Sequence, residues 1–456
     1  MSAVVWLMRL SLLGGWLPSV VAVVAWGALV SGVAWRRRAA WHWALGAVGV
    51  FVSVLIVTWI VDIPARVGGT YPTSFVLWAA LPLFALVATV WQLGRVPWWR
   101  TLVALAAVPA LVVFGALQIN SHYAYLPTLG DALGAPLPGQ VAPQHLDGLQ
   151  RSVKLVARRS STGIVTQLDI PAPNSRFSHR PGWVWLPPIY FSRPRPHLPV
   201  LMLIAGSPGG PADWLRAGNA LDIANSWANT HHGNAPIIVV PDANGSFTGD
   251  TECVDGPRGR AETYLTIDVP TFMHNRFGTA TDPHHWAIVG LSEGGTCALD
   301  LVTRHPDRFA TFGDFSGDPA PTIGTPAATL TGLYGGSRRD ERAHQAPIWF
   351  AADTAAGVQG YFAVGALDHT HVTSARNVVR QARLHHMHVR FTIIQGHGHD
   401  FRTWARALHD AYPWIVHRLD NTTHHPTTTT PTSHRPTATR NMRPTRAIGR
   451  PARTRR

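Results

Sequence analysis

Residues 286–306 read WAIVGLSEGGTCALDLVTRHP, and this stretch decides the fold. Trp286-Ala287-Ile288-Val289 is a short apolar run of the kind buried in a parallel sheet. Gly290-Leu291-Ser292-Glu293-Gly294 follows as a G-x-S-x-G turn. From Thr296 the pattern is helical, through Cys297, Ala298, Leu299, Leu301 and Val302, with a stop before Pro306. A strand that turns at once into a helix strains the backbone at the serine. Side chains at the flanking glycine positions would clash. The spacing predicts a strand, a sharp turn and a helix, with Ser292 projecting from the sheet edge.

That order of parts is the nucleophile elbow of an α/β-hydrolase. Upstream, residues 163–170 alternate like a strand, and residues 183–190 read as another, interrupted by Pro187-Pro188. They predict the leading antiparallel strands of a mostly parallel sheet with helices on both faces. Residues 199–204 are wholly apolar and run into Ala205-Gly206-Ser207-Pro208-Gly209-Gly210. A Gly/Pro loop after a buried strand lies at the carboxyl end of the sheet, where α/β sites form. In this fold such a loop gives one backbone N–H to the oxyanion, and the residue after the nucleophile gives the other. The two donors are therefore expected at Ser207 and Glu293, although an ordinary strand-to-helix turn at Ser207 would look the same. The Glu293 carboxylate would repel a developing oxyanion unless its side chain turns away.

Residues 236–240 predict a further strand, and residues 262–277 a helix crossing to the elbow. Beyond the elbow, residues 308–315, 347–350, 361–364 and 389–394 read as strands, and residues 374–384 and 402–418 as helices. Ser, acid, His is the chain order of an α/β-hydrolase triad. His399 follows the last strand in a Gly398-His399-Asp400 setting, with His397 as a rival. Asp368 follows the preceding strand and is the expected acid, with Asp353 and Asp400 competing; Asp400 is adjacent to the histidine and badly placed to reach its ring. The His-His pairs lack a third partner at metal-ligand spacing, so no metal is expected. No cofactor loop or nucleic-acid module is apparent.

Hydrophobic residues make up 46% of the 456, enough to suggest membrane segments. Four apolar stretches, at about residues 10–35, 41–61, 73–93 and 101–119, each approach the ~20 residues that span a bilayer. Tryptophans sit at several of their ends, as interfacial anchors do. The first connecting loop carries Arg36, Arg37 and Arg38, and the third Arg95 and Arg100. Positive-inside logic puts those loops in the cytoplasm and everything after the fourth span outside. No span has a charge at mid-depth, so the expected role is a plain anchor in the lipid bilayer.

The expected organisation is four transmembrane helices over residues 1–120, a linker over 121–160, a hydrolase domain over 161–420, and a disordered basic tail over 421–456. That tail holds eight arginines and no acidic residue, so much of the net charge of +14 says nothing about catalysis. Outside the membrane a disulfide is permissible. Cys297 lies just over one turn beyond Ser292, and Cys253 lies in the DTECVD loop. They are expected to pair and brace that loop against the nucleophile helix; two small buried thiols are the alternative.

These residues resemble the Putative esterase family, which includes esterase D, enterochelin esterases, feruloyl esterases and the antigen 85 mycolyltransferases. The resemblance covers about residues 151–419. It rests on LPVLMLIAGSPGGPADW, DTECVDG, AETYLTIDVP, GLSEGGTCALDLVTRHPDRFA, YFAVGALD and GHDFRTWARAL. It implies an α/β-hydrolase with a Ser-acid-His mechanism, carried onto Ser292, Asp368 and His399. The multi-span anchor resembles membrane-bound esterase-like proteins of actinobacteria. Two departures stand out: Glu293 directly follows the nucleophile, and no clear Glu stands where the mycolyltransferases have their acid. The resemblance therefore implies hydrolysis of a carboxylic ester ahead of acyl transfer to an envelope sugar. A reading of another class is a non-catalytic envelope scaffold with a degenerate hydrolase domain.

Overall fold

In a computed structural model the described residues are 3–32, 40–65, 73–146, 162–351 and 357–420. The chain opens with apolar helices α1 (Ala3–Met8), α2 (Trp16–Gly32), α3 (Ala40–Ala65), α4 (Thr73–Gln92) and α5 (Trp98–Tyr123). Among the described residues, all four predicted apolar stretches are largely helical. The first begins later than expected: residues 10–15, with Gly14 and Gly15, form a turn, and the helix starts at Trp16. Ser74–Gln92 and Trp98–Tyr123 are long and apolar enough to cross a membrane, while Trp16–Gly32 and Trp43–Ile56 are apolar but shorter. α5 packs against both α2 and α4. A Cβ on Gly32 would come within 2.7 Å of the Ala104 backbone, which is why α2 and α5 can approach so closely. Arg36–Arg38 and the basic tail lie outside the described residues.

The stretch expected as a linker is partly tied down. Asn120 clamps the backbone of Leu126 through both ends of its amide, at 2.8 and 2.7 Å. Ala124, Leu137 and Leu146 are buried in the cores of the following domain.

That domain is built on a sheet of eight strands: β1 (Ile164–Leu168), β2 (Gly182–Leu186), β3 (Val200–Ile204), β4 (Ile237–Val240), β5 (Trp286–Leu291), β6 (Thr311–Phe315), β7 (Gln359–Gly365) and β8 (His388–Ile394). Their order is β1-β2-β4-β3-β5-β6-β7-β8. β1 and β2 pair antiparallel, as do β2 and β4; every pairing from β4 to β8 is parallel.

Alternate residues of the central strands serve two cores, as the two-residue period requires. Val200, Met202 and Ile204 enter one core, while Leu201 and Leu203 enter the other. The first is covered by α8 (Val269–Phe277), α9 (Glu293–Arg304) and α11 (His369–Leu384). The second is covered by α6 (Asp213–Arg216), α7 (Ala220–Thr230) and α12 (Phe401–Asp420). The helix predicted over residues 262–277 is present but changes pitch, with a π-helical turn at Tyr264–Asp268.

One predicted strand is a helix. Residues 347–350 lie in α10 (Ala346–Ala351). Periodicity cannot separate so short an apolar run from a buried helical turn. The sheet also has no vacant slot there, because β6 pairs directly with β7. α10 instead packs between α9 and α11. Asp353, the rival acid, lies outside the described residues.

Candidate active site

The strand order reverses between β3 and β5, and the carboxyl ends of adjacent strands at such a switch form a crevice. Ser292 sits there, at φ 53° and ψ −124°, in backbone that a residue with a side chain rarely adopts. Glycine on both sides makes the turn possible. A Cβ on Gly290 would overlap the Gly294 carbonyl, and one on Gly294 would overlap the Ile204 carbonyl. Ser292 N–H donates to Phe315 O at 2.8 Å, which pins the elbow to β6.

Ser292 Oγ lies 2.8 Å from His399 Nε2, and His399 Nδ1 lies 2.7 Å from Asp368 Oδ2. The three come from the ends of β5, β7 and β8, in the predicted chain order. With its proton on Nδ1 donated to the carboxylate, His399 presents a lone pair on Nε2 to the serine hydroxyl. The rival Asp400 is used elsewhere: its Oδ1 accepts from Thr403 N–H and its Oδ2 from Gly398 N–H, so it caps α12 and closes its own loop. His397 contributes its backbone carbonyl to Leu367 N–H.

The Gly206-Ser207 loop lies against Ser292. A Cβ on Gly206 would stand 3.1 Å from Ser292 Cβ, so glycine here lets the loop close in. Ser207 Oγ donates to Gly249 O at 2.7 Å, and the Ser207 N–H enters no hydrogen bond within the described residues. Glu293 is the first residue of α9, where the N–H has no intrahelical acceptor. Asp213 fixes the loop from behind, accepting from Gly210 N–H at 2.7 Å and from Tyr125 Oη at 2.9 Å.

The Glu293 side chain does turn away. Its Oε2 accepts from Asn244 Nδ2 at 2.7 Å and its Oε1 from Glu252 N–H at 3.1 Å. Burial, with the nearby charge of Asp250, pushes its carboxyl up to about 8 against those two hydrogen bonds. Burial thus favours the uncharged carboxyl, which eases the repulsion its sequence position suggested. Cys253 and Cys297 are joined in a disulfide, with Cα atoms 5.5 Å apart. Glu252 and Cys253 both have positive φ, so the bridge holds a strained loop against the helix that carries Glu293.

His371, which the sequence did not single out, completes the site. Its Nδ1 lies 2.7 Å from Asp368 Oδ1, its Nε2 lies 3.7 Å from Asp318, and its ring stacks on His399 at 4.5 Å. Its signal is local: Asp368 caps α11, so the residue three positions on faces its carboxylate. Among the described residues, Asp368, His371 and His399 are the group whose donor atoms converge closely enough to hold a metal ion. In this structure those atoms are directed at one another.

The sequence pattern of the family described as Putative esterase matches residues 178–419. An uncharacterized protein of Corynebacterium glutamicum is 34% identical over 360 residues, covering 76% of this chain and 82% of the relative. The MPT51 antigen of Mycobacterium leprae is 32% identical over 152 residues, covering 33% of this chain and 47% of that protein. The diacylglycerol acyltransferase/mycolyltransferase Ag85B of Mycolicibacterium smegmatis is 32% identical over 190 residues, covering 38% of this chain and 56% of that protein. The chain thus spans about half the length of these last two relatives. With the elbow, the switch-point crevice and the matched residues in agreement, the chain belongs to the Putative esterase family of α/β-hydrolases and is an ester hydrolase or acyltransferase.

Proposed function

We propose that the chain is a membrane-anchored serine esterase working outside the cytoplasmic membrane. Ser292 is the nucleophile, His399 the base and then the acid, and Asp368 the carboxylate that orients it. The observation that carries this reading is the relay of 2.8 Å from Ser292 Oγ to His399 Nε2 and 2.7 Å from His399 Nδ1 to Asp368 Oδ2.

Ser292 Oγ attacks the ester carbonyl as His399 takes its proton. The Ser207 and Glu293 amides hold the oxyanion; one such donor is typically worth about 3–4 kcal/mol of barrier. His399 returns the proton to the leaving alcohol, leaving an acyl-Ser292. Water, deprotonated by His399, releases the acid and restores the serine. A sugar hydroxyl in place of water would make the same site an acyltransferase. That second reading is supported by the acyltransferase relative named above.

The apolar helices α2 to α5 support anchoring in the bilayer. The arginines of the first and third loops support an outward-facing catalytic domain. The Cys253–Cys297 bridge fits the oxidising side of the membrane.

A fluorophosphonate probe tests the nucleophile: wild type should be labelled and Ser292→Ala should not. Products formed from soluble esters, with and without sugar acceptors, then separate hydrolysis from transfer. Absence of labelling in the wild type would sink the enzymatic assignment.

A further inference from the structure

We infer that the active-site mouth is held against the bilayer and takes an ester lipid whose acyl chains remain in the membrane. The inference rests on the anchored-esterase reading and names the substrate class of that site. It starts from how α5 ends. Arg402 Nη2 donates to Ser121 O in the last turn of α5 at 2.9 Å. Two residues past that helix, Tyr125 donates to Asp213 Oδ1 at 2.9 Å, and its ring packs edge-on against Phe401 at 5.5 Å and Phe247 at 6.3 Å. Asp213 opens α6 and Phe401 opens α12, and both helices begin where the chain leaves the carboxyl edge of the sheet. Ser292 stands on that same edge. The end of the apolar helix and the nucleophile are therefore level, joined through the loop that carries Ser207 on one side and the loop that carries His399 on the other.

The surroundings have the matching polarity. Phe247, on the loop after β4, is 51% exposed, and Leu367, next to Asp368, is 61% exposed. α1 (AVVWLM) buries none of its residues, and Trp6 stacks on Trp16. The chain just beyond α1 is fastened to the segment that follows α5: Leu129 N–H donates to Leu10 O and Leu12 N–H to Pro127 O. A short helix apolar on all sides, at the level of a membrane exit, suits the headgroup boundary better than water. A water-soluble ester has no need of a mouth in that position, whereas a lipid there can present its ester carbonyl to Ser292 without leaving the leaflet.

The test uses the full chain reconstituted in vesicles of phosphatidylcholine and phosphatidylglycerol. The added thiol of Phe247→Cys or His284→Cys is labelled with bimane, since the native cysteines are bonded to each other. His284 is exposed at the opposite, amino-terminal edge of the sheet. Spin-labelled lipids should quench the probe at position 247 and leave the one at 284 bright; equal quenching overturns the inference. In the second arm, a fluorophosphonate with a hexadecyl chain embedded in the vesicles is compared with the same warhead on a water-soluble tail. Confinement to one membrane should make the lipid-tailed probe label Ser292 about tenfold faster or more. Equal or slower labelling overturns the substrate class. Failure of both probes to label, with quenching at 247 retained, instead overturns the esterase reading and the substrate assignment with it, leaving the mouth's orientation standing.

Discussion

His371 and His399 divide one carboxylate between them: each places its Nδ1 2.7 Å from a different oxygen of Asp368, and the two rings stack at 4.5 Å. Burial raises the Asp368 carboxyl, but the hydrogen bonds from His371 and His399 outweigh it and hold the group well below the usual carboxylate range. For His371 burial works downward, and the hydrogen bond and charge of Asp368 win, so its value is raised. His371 thus keeps Asp368 ionised and fixed, and in the proposed mechanism it is a positioning residue. A hydrogen bond to a charged group is worth about 1.5–3 kcal/mol, and His371→Phe should lower kcat about tenfold if roughly half of that reaches the transition state. Its stability signature has a definite sign. A raised histidine stabilises the fold fully below its unfolded value of about 6.5, and the contribution is lost as pH rises through the folded value. His371→Phe should flatten that decline in denaturation midpoints measured across pH. A variant with wild-type kcat and an unchanged pH–stability curve would refute the role.

The bridge between Cys253 and Cys297 closes a loop of 44 residues. In the chain-entropy model such a closure contributes about 4 kcal/mol. Replacing both cysteines by serine should lower the urea-unfolding free energy by about that amount. Because the bridge also holds Glu252 against the helix of Glu293, the double variant should lose activity at temperatures below its unfolding transition. A midpoint within error of wild type would show that the loop is braced by other contacts.

The elbow glycines give a sharper prediction. An added Cβ at Gly294 would meet the carbonyl of Ala205 at 2.7 Å as well as that of Ile204. Both carbonyls belong to the end of β3 and its loop, so neither can give way without moving the loop that carries Ser207. Gly294→Ala should cost about 3 kcal/mol or more, read from chemical denaturation.

Much of this was legible in the chain because the relevant physics is local. Apolar runs of four to six residues broken by Gly and Pro mark buried parallel strands, and the loops that end them carry Ser207, Ser292, Asp368 and His399. What escaped is tertiary. His371 is one of 24 histidines, and only the capping geometry at the start of α11 sets it apart. Glu293 looked electrostatically adverse because its partners, Asn244 and Glu252 N–H, come from a loop 49 and 41 residues earlier. Residues 347–350 failed as a strand because sheet membership depends on a free neighbour, and β6 already had β7. The contacts of Tyr125 bring together segments 88 and 276 residues or more away, which no local pattern encodes.

Glu293 contributes its own pH dependence to the stability of the fold. Burial, with Asp250 close by, raises its carboxyl from 4.5 to about 8. A raised carboxyl stabilises the fold fully below its unfolded value of about 4.5, and that stabilisation is lost as pH rises toward and through about 8. Asp250 and Glu252 are raised by burial too, so they slope the same way. Glu293→Gln cannot ionise. It also gives up one of the two acceptor oxygens that Asn244 and Glu252 N–H use, a loss of about 1 kcal/mol. The variant should therefore be less stable than wild type near pH ~5 and should gain on it by on the order of a few kcal/mol by pH ~9. Its turnover at neutral pH should stay within about threefold of wild type, because the proposed oxyanion donor is the backbone N–H and burial already disfavours the side-chain charge. Parallel stability curves for the two proteins from acid to alkaline pH would mean that Glu293 keeps the ordinary carboxyl value in the fold and is charged at neutral pH, and the repulsion suggested by its place after Ser292 would then be real.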